Sequence, residues 1–437
     1  MNKKNDKKLV VIQVAGLSYN LLSNCNHAKI NNLNFESAQS IFPALTCTTQ
    51  ASFRTASAPN CHGMTANGFW SRKLCKPMFW EQSASLVEGQ RIWQQMRKKG
   101  KRVAMMFWQQ SLGEDIDLVL SPAPIHKHHG GMIMDCYSKP DGLYKKLCKT
   151  IGTDFNLKHY WGPLANAKVG DWIASATSII LEEPEMAPDL LFTYLPSMDY
   201  DLQRFGPGHP KSKKALQTTF AQLEKILSQC NRQGYEVLIF GDYTITETQK
   251  PAVFPNRVLH EAGLFNTRKV KNMLYPDFYT SSAFAMVDHQ IAHVYVKHKS
   301  DIDQVKNILA NVDGIAEILD KSEQSRLNVD HANSGELVIV AEKSRWFAYL
   351  WWAKKSEMPD YASHVDIHNK PGYDPCELFF GFPPNISCKT DRIRGSHGRC
   401  DPQEKIAWAK TFESNIKPKS LIDLALMVKN WFNEPDE

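Results

Sequence analysis

The chain has 437 residues, of which 43% are hydrophobic and 22% are charged, so it is long enough to bury a large core. Its 52 basic and 46 acidic residues give a net charge of +6, and no dense run of lysine and arginine is interleaved with aromatic residues. This pattern argues against a nucleic-acid groove, and no apolar run approaches the ~20 residues that span a bilayer. We therefore predict neither a nucleic-acid partner nor a membrane partner, and leave the oligomeric state open.

The cysteines and the start of the chain bear on its location. The ten cysteines are scattered and form no Cys-x-x-Cys pair, which favours reduced thiols in a cytoplasmic protein. Residues 1–8 followed by an apolar stretch have the charge order of a signal peptide, but Gln13 and residues 18–20 interrupt that stretch. We predict a first buried strand and a cytoplasmic location, with the periplasm as the less favoured alternative.

Two periodic patterns alternate along the first half of the chain. Short apolar runs are typical of buried parallel strands, and they cover residues 9–14, 102–108, 190–194 and 236–240. Apolar residues at spacings of three and four predict helices between them, at residues 89–99, 170–181 and 213–230. Strands that alternate with helices predict an α/β fold, in which helices flank a mostly parallel central sheet.

Three polar residues are expected at one edge of this sheet. Asp199 follows the strand at 190–194, Asp242 follows the strand at 236–240, and Thr46 lies in the loop after the first strand and its crossover. Ligands of parallel sheets gather at the carboxyl ends of the strands. The order of elements therefore predicts a site that contains all three side chains.

A smaller α+β unit follows this core. Its predicted elements are strands at 292–297, 315–319 and 337–341 and a helix at 301–310. The aromatic segment 346–352 is predicted to pack the unit on the core, and the His-rich run at 126–131 is interpreted as an exposed loop. We divide the chain into an α/β core at 1–285, a small α+β cap insertion at 286–345, and a return to the core with a C-terminal helix at 346–437.

Three short stretches occur in an order that resembles a known family. They are Phe-Pro-Ala-Leu-Thr-Cys-Thr-Thr at 42–49, Tyr-Leu-Pro-Ser-Met-Asp at 194–199 and Gly-Ser-His-Gly at 395–398. They resemble the nucleophile loop, the first metal aspartate and the last metal histidine of the nucleotide pyrophosphatase/phosphodiesterase branch of the alkaline phosphatase superfamily, as found in a divergent bacterial subgroup. Residues 58–68 resemble that family's Pro-x-x-His-Gly and Asn-Gly continuation. The resemblance implies an alkaline-phosphatase-like core with a cap that helps define the substrate pocket.

The resemblance implies that Thr46 is the nucleophile. A threonine hydroxyl is a poor nucleophile until a metal ion lowers its pKa or a base accepts its proton. A helix that starts here would also offer backbone N–H groups to a phosphoryl oxygen. The alternative interpretation is that the hydroxyl residues of this loop only cap a helix.

The resemblance also implies a set of metal ligands, namely Asp199, Gln203, Asp242 and His397. Three positions depart from the family pattern, since Ala15 replaces an aspartate and Gln203 and Tyr243 replace histidines. An amide oxygen can bind a hard cation but is a poorer zinc ligand than imidazole. The simplest predicted arrangement is one divalent ion held by Asp199, His397 and Gln203. Zinc is the preferred ion, manganese and magnesium are alternatives, and a second ion is left open.

Further residues are predicted to bind the substrate. Arg394 flanks the His397 loop and could neutralise phosphate charge, although an arginine on the surface could equally pair with a carboxylate. Asp/His pairings near the predicted cap could bind substrate or replace a metal ligand, although each alone is more often a capped turn or a salt bridge. The predicted substrate-binding residues are Thr49, Asn67, Asp288, His289, Asp366, His368 and Arg394.

These observations lead to two hypotheses of different classes. The first is a metal-dependent phosphodiesterase, pyrophosphatase or phosphatase that acts on a small phosphorylated metabolite through a threonine nucleophile. The alternative is a catalytically degenerate relative that binds a phosphorylated ligand or a protein partner without turnover. A changed reaction, such as phosphonate cleavage, is also left open. Sulfatase activity is disfavoured, because Cys47 is followed by Thr-Thr-Gln and not by the Pro and Arg that formylglycine formation needs.

Overall fold

The structure is a computed structural model that describes residues 7–25, 29–30, 32–382 and 385–433. Most of the basic start, residues 1–6, lies outside the described residues. The strands are β1 (Leu9–Val14), β2 (Lys29–Ile30), β3 (Leu33–Asn34), β4 (Glu36–Gln39), β5 (Gly68–Ser71), β6 (Lys76–Phe79), β7 (Val103–Met106), β8 (Leu118–Pro122), β9 (Ile125–His126), β10 (Met132–Ile133), β11 (Cys136–Lys139), β12 (Leu190–Leu195), β13 (Glu236–Gly241), β14 (Thr246–Glu247), β15 (Thr267–Val270), β16 (Met273–Pro276), β17 (Ala283–Asp288), β18 (Ile291–Val296), β19 (Ile315–Leu319), β20 (Leu337–Ala341), β21 (Gly395–Ser396) and β22 (Lys405–Lys410).

The α-helices alternate with these strands through the core. They are α1 (Tyr19–Asn24), α2 (Thr46–Thr55), α3 (Pro59–His62), α4 (Gln94–Lys98), α5 (Leu143–Ile151), α6 (Leu157–Tyr160), α7 (Lys168–Glu182), α8 (Ser197–Phe205), α9 (Pro210–Gln233), α10 (Pro255–Glu261), α11 (Ile302–Ala310), α12 (Lys321–Arg326) and α13 (Leu421–Asn433).

The central sheet has eight strands in the order β11-β8-β7-β12-β1-β13-β22-β4. Its five middle strands, from β8 to β13, are parallel to one another. At the edges the pairing is antiparallel, between β11 and β8, between β22 and β13, and between β4 and β22. All six residues of β1 are buried, as expected for an apolar strand flanked by parallel neighbours. The predicted α/β fold with a mostly parallel sheet is confirmed.

Helix α2 fixes the position of the residue that begins it. It starts at Thr46 and ends before Ala56, which has a left-handed backbone with φ of 48°. Phe53 stacks on Phe240 of β13 with ring centroids 4.6 Å apart, and it meets the rings of Trp108 and Phe192 edge-on. Aromatic packing therefore holds α2 against the sheet.

The second sheet is antiparallel, in the order β17-β18-β20-β19. Strands β17 and β18 form a hairpin whose turn contains His289 and Gln290. The aromatic segment after β20 is buried, and the Phe347 N–H donates to the His289 carbonyl oxygen over 2.7 Å. This contact places the aromatic segment against the turn of the hairpin.

One predicted helix is shorter in the structure, and one strand of the structure was not predicted. The helix predicted at 89–99 is only the short α4, because Gly89 has a φ of +88° and the Ile92 N–H donates to the Arg54 carbonyl oxygen instead of continuing a helix. Strand β17 was missed, so the predicted cap boundary at residue 286 falls inside it. The division into three domains stays a prediction. The His-rich run lies in and after β9, whose two residues are exposed.

No helix within the described parts of the chain combines the length and the apolar composition needed to cross a bilayer.

The Phe53 contact gives a test of how α2 is anchored. We expect Phe53→Ala to lower the free energy of unfolding by about 3–5 kcal/mol, because it removes a fully buried aromatic ring and leaves a cavity. Denaturant unfolding would measure the change. A loss below about 1 kcal/mol would show that α2 is held by other contacts.

Candidate functional site

The carboxyl ends of β12 and β13 place two aspartates at one edge of the sheet. Asp199 lies in the first turn of α8, directly after β12, and Asp242 is the residue that follows β13. Both side chains are buried. The predicted meeting of these carboxylates at one sheet edge follows from the parallel pairing of both strands with β1.

The Asp199 carboxylate accepts a hydrogen bond on each oxygen. The Tyr243 hydroxyl donates to Oδ1 over 3.0 Å, and Gln203 Nε2 donates to Oδ2 over 2.5 Å. Asp199 and Gln203 are four residues apart in α8, so they lie on the same face of the helix. The Tyr373 hydroxyl donates to Gln203 Oε1 over 3.0 Å. Burial raises the pKa of Asp199 to about 7, although the bonds from Gln203 and Tyr243 lower it.

The Asp242 carboxylate is held by three donors. Gln13 Nε2 donates to Oδ2, while the backbone N–H groups of Gly16 and Tyr243 donate to Oδ1, each over 2.9 Å. Gly16 has a φ of +70°, which lets the chain turn after β1 and aim its N–H at this oxygen. Burial raises the pKa of Asp242 to about 7, against the lowering effect of these hydrogen bonds.

Tyr243 and His397 join the two aspartates to the loop that precedes α2. Their rings stack with centroids 3.5 Å apart and an interplanar angle of 2°. His397 Nδ1 lies 2.8 Å from the Ala44 carbonyl oxygen, which can only accept, so Nδ1 carries the proton. The Ala44 N–H in turn donates to the Gly398 carbonyl oxygen over 3.0 Å. Burial lowers the pKa of His397 well below its usual value, so the ring is neutral.

Thr46 is the first residue of α2 and is only 6% exposed. Burial raises the pKa values of the Tyr194 and Tyr243 phenols well above their usual range, and the nearby Thr46 side chain lowers them only in part. The Thr49 hydroxyl donates to the Thr46 carbonyl oxygen over 2.9 Å. Thr49 is therefore a residue of the helix interior here, and its hydroxyl is engaged by the helix itself.

Asp288 and Asn67 connect the second sheet to α2. Asn67 donates to the Asp288 carboxylate through its backbone N–H over 2.8 Å and through Nδ2 over 3.0 Å. Asn67 Oδ1 accepts from the Cys47 N–H over 3.0 Å. Burial raises the pKa of Asp288 to about 6, while its bonds to Asn67 lower it. The residue after Thr46 is thus fixed by an amide that is itself fixed by the β17–β18 hairpin.

His289 adds a third layer to the stack of rings. Its ring lies 3.8 Å from that of His397 and 3.7 Å from that of Tyr373, measured between centroids. Nδ1 lies 2.7 Å from Asp288 Oδ1, and Nε2 is buried without a hydrogen-bond partner. His289 has a φ of 60°, which is unusual for a residue other than glycine. Burial lowers its pKa well below the usual value.

The donor set does not fit the metal centres that the sequence predicts. Both oxygens of Asp199 and both of Asp242 already accept hydrogen bonds from protein donors. Gln203 turns its amide nitrogen, and not its oxygen, toward Asp199, because the oxygen accepts from Tyr373. Within the described residues, no group of three or more His, Cys, Asp or Glu side chains could hold an ion. A ligand set of Asp199, His397 and Gln203 is therefore not supported by the geometry.

A small cavity borders the network at Tyr373. It has a volume of about 10 Å³ and lies between the aromatic rings of Trp80, Trp161 and Tyr373 and the loop that contains Asp366 and Lys370. Such a volume holds about one water molecule.

Three predicted substrate-binding residues have hydrogen bonds within the protein. Asp366 lines this small cavity, and its Oδ1 accepts from the N–H groups of His368 and Asn369, so it closes its own turn. His368 Nδ1 lies 3.0 Å from the Phe79 carbonyl oxygen. The Arg394 side chain is exposed, and its backbone N–H donates to the Gln203 carbonyl oxygen over 2.9 Å. Substrate binding by these three residues stays a prediction.

Sequence reasoning missed two residues of the network. Gln13 is a polar residue in an otherwise apolar buried strand, and this contrast indicates that its side chain forms a buried hydrogen bond. Tyr373 carried no such signal, because its partner Gln203 is 170 residues away.

Comparison with known proteins agrees with this fold and order of residues. The family model for type I phosphodiesterase/nucleotide pyrophosphatase matches residues 9–374. The chain belongs to this family, which is part of the alkaline phosphatase superfamily and consists of phosphoric ester hydrolases that generally depend on divalent metals. The predicted resemblance is confirmed. A search of curated protein sequences finds no match.

Solved structures share the fold at low sequence identity. Phosphonoacetate hydrolase from Sinorhizobium meliloti 1021, in complex with phosphonoformate, matches with a TM-score of 0.64 and 13% identity over 98% of this chain and 96% of that chain. Murine ectonucleotide pyrophosphatase/phosphodiesterase 5 matches with a TM-score of 0.61 and 13% identity over 99% and 97%. An inactive threonine-to-alanine variant of the murine protein, in complex with AMP, matches with a TM-score of 0.61 and 13% identity over 99% and 97%.

The Asn67 bridge can be tested by its effect on stability. We expect Asn67→Ala to lower the free energy of unfolding by about 1–3 kcal/mol, because it removes one donor to the buried Asp288 carboxylate and the side-chain acceptor of the Cys47 N–H. Asn311→Ala is the matched control, since the Asn311 amide bonds only to an exposed helix end and should change stability by less than about 0.5 kcal/mol. Equal effects of both substitutions in denaturant unfolding would contradict the bridge.

Proposed function

We propose that the protein hydrolyses a phosphoric ester of a small phosphorylated metabolite and that Thr46 is the nucleophile. The observation that supports this most directly is the position of Thr46. It begins α2 and lies near Tyr243, which donates hydrogen bonds to Asp199 and Asp242. Membership of a family of phosphoric ester hydrolases supports the reaction class.

The proposed reaction has two displacements at phosphorus. Thr46 Oγ attacks the phosphorus atom and loses its proton, the ester oxygen leaves, and water then hydrolyses the phosphothreonine. The proposal places the phosphoryl oxygens beside the start of α2, where the positive end of the helix favours their negative charge. The expected zinc, manganese or magnesium ion has no fitting ligand set here, so the proposal assigns no ligand to an ion.

Two structural relatives support the proposed ligand and nucleophile. The Sinorhizobium hydrolase binds phosphonoformate, a small phosphorus oxyanion. The murine variant that binds AMP is inactive when a threonine is replaced by alanine. Both observations agree with a threonine that acts on a small phosphorylated compound.

A second candidate function is binding of a phosphorylated ligand without turnover. It is favoured by the carboxylates of Asp199 and Asp242, whose oxygens are all engaged by the protein. A cytoplasmic location is part of either proposal, and it is supported by ten cysteines that form no disulfide.

Replacing Thr46 and its neighbour separately would test the nucleophile. We expect Thr46→Ala to lower kcat/KM for bis-p-nitrophenyl phosphate by about 10³-fold or more, because the attacking atom is lost. Cys47→Ser is the matched control, since burial raises the pKa of the Cys47 thiol to about 12 and keeps it from acting as a thiolate. The control should stay within about tenfold of the parent protein.

The assay is run on chelated protein and again with zinc, manganese or magnesium. Turnover that survives Thr46→Ala would contradict the threonine nucleophile. Absence of turnover under every condition, together with saturable binding of AMP or inorganic phosphate, would favour the second candidate.

A further inference from the structure

We propose that this centre is built to be free of metal, because Gln13, Gln203 and Tyr243 stabilise the two aspartates by hydrogen bonds in place of divalent ions. The inference concerns the assembly of the centre and does not rest on the proposed reaction. Its basis is that the departures from the family pattern coincide with the groups that now bind Asp199 and Asp242.

The first step concerns Asp199. Gln203 and Tyr243 stand at the two positions where the resemblance implies histidine. A neutral histidine turns a nitrogen lone pair toward a cation, whereas an amide N–H and a phenol O–H present hydrogens. Both hydrogens go to the same carboxylate, one to each oxygen. The replacements therefore supply what the lost cation would have supplied to Asp199, namely positive charge density at both oxygens.

The second step concerns Asp242. Ala15, where the resemblance implies an aspartate, has no polar group. Gln13 lies two residues earlier on β1, and side chains two apart share one face of a strand. Gln13 Nε2 donates to Asp242 Oδ2 from that face, and the Gly16 and Tyr243 N–H groups donate to Oδ1. The aspartate that the resemblance implies at the position of Ala15 is absent, and Gln13 nearby is an additional donor to Asp242.

The third step concerns the direction of these donors. Tyr373 donates to Gln203 Oε1, so the amide oxygen cannot turn toward an ion unless this bond breaks. The ring of Tyr243 lies flat on His397 at 3.5 Å, and His289 covers the ring of His397 at 3.8 Å. The donors are therefore fixed by buried contacts, and their orientation is a property of the folded protein.

The fourth step concerns charge. Neither aspartate forms an ion pair with a lysine or arginine in the part of the chain that the structure describes. A buried carboxylate without a cation is stable only when its oxygens are hydrogen-bonded. Removal of one donor should therefore destabilise the protein, whereas removal of metal should not.

The metal content of the full-length protein is the primary test. Protein is expressed in medium supplemented with zinc, manganese and magnesium, and its metal content is measured by plasma mass spectrometry. We expect substoichiometric metal and the same Tm in the presence of EDTA or of each added ion. One or more ions per chain, lost in Asp199→Asn, or a Tm that falls in EDTA, would overturn the proposal.

Two sets of variants identify the residues responsible. Tyr243→Phe should lower Tm without gain of metal, because the Asp199 oxygen loses its donor. The triple variant Ala15→Asp, Gln203→His, Tyr243→His should acquire zinc and show a Tm that rises with zinc concentration. An unchanged Tm in Tyr243→Phe contradicts the role of the phenol. If the triple variant fails to fold, Gln203→His with Tyr243→His in zinc titration decides whether the donors exclude the ion.

Discussion

Tyr243 is the residue on which the organisation of this centre depends. Its hydroxyl binds Asp199, its backbone N–H binds Asp242, and its ring stacks on His397. Tyr243 thereby connects the segments that follow β12 and β13 to the loop that contains His397. Thr46 lies near the same phenol, so the start of α2 adjoins the groups that bind both carboxylates.

Three buried carboxylates impose the main energetic constraint on this arrangement. Asp199, Asp242 and Asp288 each lose hydration, and burial raises the pKa of each one. Such groups are tolerated when all their oxygens find donors. The donors come from four distant segments, which contain Gln13, Asn67, Gln203 and Tyr243, so the network also fixes the relative positions of these segments.

The sequence was sufficient to predict the framework of the fold. The buried strands were apolar enough to be recognised, and the parallel order then placed Asp199, Asp242 and Thr46 at one edge. The direction of the Gln203 amide could not be predicted, because it depends on Tyr373 far along the chain. Asp366 forms its hydrogen bonds with residues only two and three positions away, so a local turn competes with its predicted role in binding.

The comparison with relatives concerns the fold of the chain, whereas the chemistry depends on the residues of the site. The Sinorhizobium hydrolase shares 13% identity with this chain and still aligns with a TM-score of 0.64 over nearly the full length. Core strands need only buried apolar side chains, so many sequences satisfy them. The centre is different, because an N–H or O–H group donates to a carboxylate, whereas a nitrogen lone pair binds a cation. If the centre is free of metal as proposed, the family fold persists while the residues at three positions, Ala15, Gln203 and Tyr243, change the kind of chemistry that its sheet edge supports.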